Sequence, residues 1–83
     1  MTRLDKLIDR IRARPPKADF SDVETVLIAY GWERRRQRGS HVTFMKAGEY
    51  PIVVPLVQGR RVKRTYLVEI CERLGLDLSD SGQ

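Results

Sequence analysis

Histidine and cysteine each occur once in this chain. Cys71 has no internal partner for a disulfide, and one Cys with one His cannot close a zinc site. No metal and no cofactor is expected. No apolar run approaches the ~18 residues that a membrane span needs. The opening Met1-Thr2-Arg3-Leu4-Asp5 lacks the apolar core of a signal peptide, so the expectation is a cytoplasmic protein without a membrane segment. Internal repeats and low-complexity linkers are missing too. So are a paired-carboxylate motif and a Gly-rich nucleotide loop, which removes the commonest hydrolase and nucleotide-binding chemistries. At 83 residues the chain is near the lower limit for a self-supporting core and is expected to form one domain over 1–83. With 41% hydrophobic and 33% charged residues it reads as globular.

Acidic residues are scarce in one region only. Between Arg34 and Arg64 there are nine basic residues and one acid, Glu49, for a local charge of +8, although the whole chain carries +5. The remainder is net acidic. A positive field concentrated in this way favours polyanions through phosphate contacts and counterion release. A solvated basic face is the plainer alternative.

Three segments share a helical template. Leu4, Leu7, Ile8 and Ile11 fall at i, i+3, i+4 and i+7, as do Val23, Val26, Leu27 and Tyr30, and then Leu67, Ile70, Cys71 and Leu74. The first of these predicts a helix over Thr2 to Arg14. Ser21-Asp22-Val23-Glu24 reads as a capping box, and Thr2 with Asp5 as a weaker one. Gly31 and Gly75 stand where left-handed helix ends are expected, and Pro15-Pro16 separates the first two helices.

Between the second and third helices the period shifts towards two. Trp32 to Arg38, His41 to Lys46 and Ile52 to Val57 are strand candidates, joined by turns at Gly39-Ser40 and Ala47 to Pro51. Pro55 predicts an edge strand or a bulge. The expected fold is α+β, a three-stranded meander covered by helices on one face. Alternation places Val42 and Phe44 on the core side and His41 outward with Thr43 and Met45. It also separates Arg35 from Arg34, Arg36 and Arg38. The segment after Leu78 reads as a frayed tail. Cys71 reads as a buried thiol, and Trp32 and Tyr30 as core or helix-end packing rather than base-stacking platforms.

The series Gly31-Trp32, a basic strand, Gly39-Ser40-His41 with Phe44 three residues on, Val53-Val54-Pro55, the basic run Arg60 to Arg64 and Gly75-Leu76 resembles the HicA family of mRNA-interferase toxins. The resemblance covers roughly Phe20 to Leu76. Val42 stands where many members carry a second histidine, and Val57 where another is common. The helix over Thr2 to Arg14 extends beyond the minimal family core. The resemblance implies an α-β-β-β-α core like a double-stranded-RNA-binding domain, with an extra N-terminal helix. It further implies the toxin of a type II toxin-antitoxin system, active in stress response, that cuts mRNA without a metal through a catalytic histidine, here His41. A HicB-like antitoxin is the implied protein partner.

The residues themselves suit that chemistry. RNA supplies its own nucleophile, the ribose 2′-hydroxyl, and needs a base to take its proton, cations for the phosphorane and a proton for the leaving 5′-oxygen. Imidazole ordinarily titrates near pH 6.5, so neutral base is available at cellular pH. Arginine matches a phosphate with a bidentate fork. The phosphate-binding candidates are Arg34, Arg36, Arg38, Ser40, Lys46, Arg60, Arg61, Lys63 and Arg64, the last four lying before the third helix, whose amides add to an anion site. For the general acid, Lys46, Tyr66, an arginine-bound water and bulk solvent stay open. Two further readings stay open as well: a module of the same fold that binds RNA without cutting it, and a basic domain that docks an acidic protein.

Overall fold

The computed structural model describes residues 2–76, so the tail after Leu78 lies outside the described residues. Helix α1 spans Arg3–Arg12 and opens on the capping box that Thr2 and Asp5 suggested. The Thr2 hydroxyl accepts from the Asp5 amide at 3.1 Å, and the Asp5 carboxylate accepts from the Thr2 amide at 3.2 Å. The helix ends two residues before the expected Arg14, which adopts a left-handed φ of 52°.

Helix α2 begins earlier than its sequence signature. It runs Phe20–Ala29 with Asp19 as N-cap and no side-chain cap, so Ser21 sits inside the first turn and caps nothing. The cause is a two-stranded ribbon that local sequence did not announce. Strand β1, Lys17–Asp19, pairs antiparallel with β5, Arg61–Lys63. The Phe20 amide donates to the Arg60 carbonyl at 2.9 Å, and the Asp19 carboxylate accepts from Arg61 Nε at 2.9 Å. These contacts fix the chain entering α2 before Ser21 could act.

The meander follows as expected: β2 over Glu33–Arg38, β3 over His41–Met45 and β4 over Ile52–Pro55, antiparallel in the order β2-β3-β4. Pro55 ends β4, which pairs with β3 alone among the described strands. Helix α3, Arg64–Leu74, closes on Gly75 at φ 74°. Val42, Phe44, Ile52 and Val54 form the inner face of the sheet and pack on Phe20, Val23, Leu27, Leu67 and Ile70 from α2 and α3. The result is α+β, with an α-β-β-β-α core of the double-stranded-RNA-binding type (α2, β2, β3, β4, α3). Helix α1 adds Leu7 and Ile11 to the same core. Trp32 is buried and Tyr30 half-buried at the end of α2, as packing residues. No described helix is long and apolar enough to cross a membrane.

One register detail corrects the alternation expected for β2. Arg34 pairs with Phe44, but the next pair is Arg36 with Thr43, leaving Arg35 as the extra residue of a bulge. Arg34 therefore stands on the helix side of the sheet, while Arg36 and Arg38 stand on the outer side with Thr43 and His41. The grouping of Arg34 with Arg36 and Arg38 does not hold.

Candidate functional site

Gly39 and Ser40 form a two-residue hairpin turn, and Gly39 takes φ 59°, the conformation that the first residue of a type II′ turn requires. The turn makes Arg38 and His41 a directly opposed pair. Opposed residues on one face of a sheet have their Cβ atoms roughly 4.5–5.5 Å apart. On the other flank His41 pairs with Pro55 of β4. His41 is exposed, and among the described residues nothing donates to its ring or accepts from it. The base candidate is thus held by backbone pairing alone, with both ring nitrogens open.

The nine phosphate candidates divide by what already holds them. Arg34 donates to Glu24 at 3.3 Å and to Gln37, and its guanidinium lies over the Phe20 ring at 5.5 Å. Arg60, in a left-handed conformation at φ 72°, also lies over that ring, at 4.9 Å. Arg61 is paired with Asp19, and Arg64 donates to the Arg14 carbonyl at 2.8 Å. Lys46 donates to the Tyr30 carbonyl at 2.9 Å, at the C-terminal end of α2. It lies five residues along the chain from His41, about 17 Å of strand. By contrast Arg36, Arg38 and Lys63 have no polar side-chain partner among the described residues, and the first two share the face of His41. Ser40 sits in the turn, with its carbonyl accepting from the Leu56 amide at 2.7 Å. The structure therefore brings together His41, Arg38, Arg36 and Ser40. It places Lys46 at the far end of β3 and Tyr66 against the core in the first turn of α3.

Residue type alone gave no reason to single out Gln37 and Gln58. Both line an open cleft of about 400 Å³ between the Gly39-Ser40 turn and the loop before β5. The Gln58 side-chain carbonyl accepts from Lys17 Nζ at 2.5 Å, a contact between residues 41 apart in sequence that no local signal could report. Cys71 is buried as expected. Its thiol donates to the Ile11 carbonyl at 3.5 Å, and burial pushes its pKa above the ordinary 9.0, against the lowering influence of Arg14 and Arg12. Among the described residues no three His, Cys, Asp or Glu side chains converge as metal ligands would.

Fold and site together define a small α+β protein with a core like that of a double-stranded-RNA-binding domain, whose outer sheet face carries an imidazole and two guanidiniums without polar partners among the described residues. Residues 20–76 match the family described as the HicA toxin of bacterial toxin-antitoxin systems, and the chain belongs to that family. No curated protein and no solved structure matches it.

Proposed function

We propose that this toxin is a metal-independent endoribonuclease that cuts mRNA at a site built on His41, and that a HicB-like antitoxin neutralises it. The observation that carries the reading is the pairing of an imidazole with a guanidinium, Arg38, across a two-residue turn, neither with a polar side-chain partner among the described residues. His41 takes the proton of the 2′-hydroxyl as that oxygen attacks phosphorus. The bond from phosphorus to the 5′-oxygen breaks, leaving a 2′,3′-cyclic phosphate on one fragment and a 5′-hydroxyl on the other. Arg38, with Arg36 beside it, neutralises charge on the phosphorane. Lys46 and Tyr66 are held elsewhere, so the leaving oxygen takes its proton from water. With one positioned base, the acid–base contribution is about 10²–10⁴-fold. The substrate places the action in the cytoplasm. The antitoxin covers His41 and its arginines with an acidic or polar surface.

His41→Ala tests this. The side chain is exposed, so the change should shift stability by no more than about 0.5 kcal/mol. RNA binding and antitoxin binding should persist, while cleavage and growth arrest fall by about two to four orders of magnitude. A folded His41→Ala protein that still cuts RNA would remove the histidine from the mechanism. A wild type that binds RNA and never cuts it would leave a binding module.

A further inference from the structure

On the open face of the sheet, β2 supplies charge, β4 supplies apolar surface and β3 runs between them. Arg36, Thr43 and Val53 form one cross-strand row, and Arg38, His41 and Pro55 form the next. Met45 and Val53 are 39% and 44% exposed, and both share the face of His41. The bulge turns Arg35 alongside them, so that Arg35, Arg36, Thr43 and Met45 line a depression of about 380 Å³. Its walls are two guanidiniums and a thioether, and it is edged by one hydroxyl. Planar guanidiniums stack on nucleobases, a thioether packs against an aromatic ring, and a hydroxyl donates to or accepts from a base edge.

Position strengthens the chemistry. Thr43 is two residues from His41 along β3, roughly 7 Å. That is close to one nucleotide's advance in an extended strand. One carboxylate borders the depression: Glu33 directly opposes Met45 at the end away from His41, and its charge is held by Arg35 at 3.3 Å in a solvent-exposed pair. An anionic chain can therefore follow the arginines of β2 while its bases lie over Met45 and Val53. A duplex, with its bases stacked inside, cannot use such a seat.

We infer that this depression seats the nucleobase next to the cleaved phosphodiester, so that single-stranded RNA lies along β3 with its phosphates towards β2. The inference rests on the endoribonuclease reading above. The occupant is RNA rather than a protein because the rim is cationic on the side where the scissile phosphate must sit.

The test compares two probes of equal length and charge, a short single-stranded RNA and the same ribose-phosphate chain without bases. Binding is measured with the His41→Ala protein, and cleavage of the intact RNA with wild type. Removing the bases should weaken binding about 5- to 150-fold or more, the effect of one or several stacked bases. Met45→Ala should weaken binding of intact RNA several-fold and leave the base-free chain unaffected, with an unchanged melting temperature. In the cleavage assay Met45→Ala should act on KM more than on kcat. Equal binding of the two probes overturns the inference, as does a Met45→Ala protein that treats intact RNA like wild type. If Met45→Ala and Val53→Asp weaken only antitoxin binding, the seat belongs to the protein partner and the inference fails while the endoribonuclease reading stands. If wild type cuts no RNA, the endoribonuclease reading fails by itself, and the binding comparison still decides the seat.

Discussion

Arg38 and His41 close the β2-β3 hairpin as a directly opposed pair, and neither side chain is held by any other described residue. Backbone pairing fixes where the two groups start, and the RNA must supply what fixes where they end. This separates them from Arg34, which is held against Glu24, Gln37 and Phe20. It also explains why a small catalyst of this design is expected to be slow. Side chains ordered only by substrate spend binding energy on their own immobilisation.

Arg38 carries the first prediction. A charge-assisted hydrogen bond contributes about 1.5–3 kcal/mol, so Arg38→Ala should reduce single-turnover cleavage about 10- to 150-fold. Stability should hardly change, because the side chain has no polar partner among the described residues. Arg38→Lys should recover part of the loss and not all of it, since an ammonium lacks the bidentate fork. Full recovery by Lys would mean that charge alone matters at this position.

The helices and the meander were legible because apolar spacing set them. Val23, Val26 and Leu27 lie on one helical face, and Val42 with Phe44 on one strand face, so even the outward direction of His41 could be read. The bulge at Arg35 could not. Glu33–Arg38 is polar throughout and exposed along its whole length, so no buried side chain marked its register. The β1-β5 ribbon was hidden for a related reason. Its strands are three residues each, too short for alternation, and a pairing between residues such as Lys17 and Lys63 leaves no local trace. Separation in sequence also concealed which arginines are engaged, because Asp19 and Glu24, which hold Arg61 and Arg34, belong to the first half of the chain's second helix and its cap.

That division of the arginines predicts two different phenotypes. For single strands the salt dependence of binding falls by about 0.7 in slope for each phosphate no longer neutralised, so the Arg36→Ala, Arg38→Ala double variant should flatten it by roughly 1.4. Arg34→Ala should instead lower thermal stability, by about 1 kcal/mol, through loss of the Phe20 stacking and the Glu24 pair, with a smaller change in slope. Binding titrations across salt concentration, set beside thermal melts, separate the two. Affinity that ignores salt in wild type would sink the phosphate track altogether.

Cys71 predicts a pH dependence with a definite sign. Burial raises its folded pKa above 9.0, so folding favours the neutral thiol. That contribution is fully present below the unfolded pKa and is lost as pH rises through the folded value. A neutral acid held protonated by the fold binds its proton more tightly than the unfolded chain does, so the unfolding free energy falls as pH rises from about 9 to the folded value. Wild type should therefore lose stability more steeply above pH 9 than Cys71→Ser, which has no thiol to ionise. In the native state the thiol should resist alkylation and become reactive on unfolding. Rapid native alkylation would mean that α1 lifts readily from α3.

Helix α1 lies outside the matched residues 20–76, yet it is tied into the fold along its length. Leu7 and Ile11 are buried, Arg10 donates to Asp22 at 3.2 Å, and the Cys71 thiol donates to the Ile11 carbonyl. Past the helix end, Arg14 donates to the Leu76 carbonyl at 3.1 Å, and its own carbonyl accepts from Arg64. Ile11→Ala should cost about 2–5 kcal/mol, a large share of the roughly 5–15 kcal/mol that holds a small domain together. At about 4–8 °C per kcal/mol, the melting temperature should fall by roughly 10 °C or more. The solvent-facing Arg3→Ala, on the same helix, should leave it nearly unchanged. Because α1 packs on α2 and α3, away from the outer sheet face, the folded fraction of Ile11→Ala should cut RNA at the wild-type rate. A variant that stays fully folded and loses cleavage would instead assign α1 a part in the site.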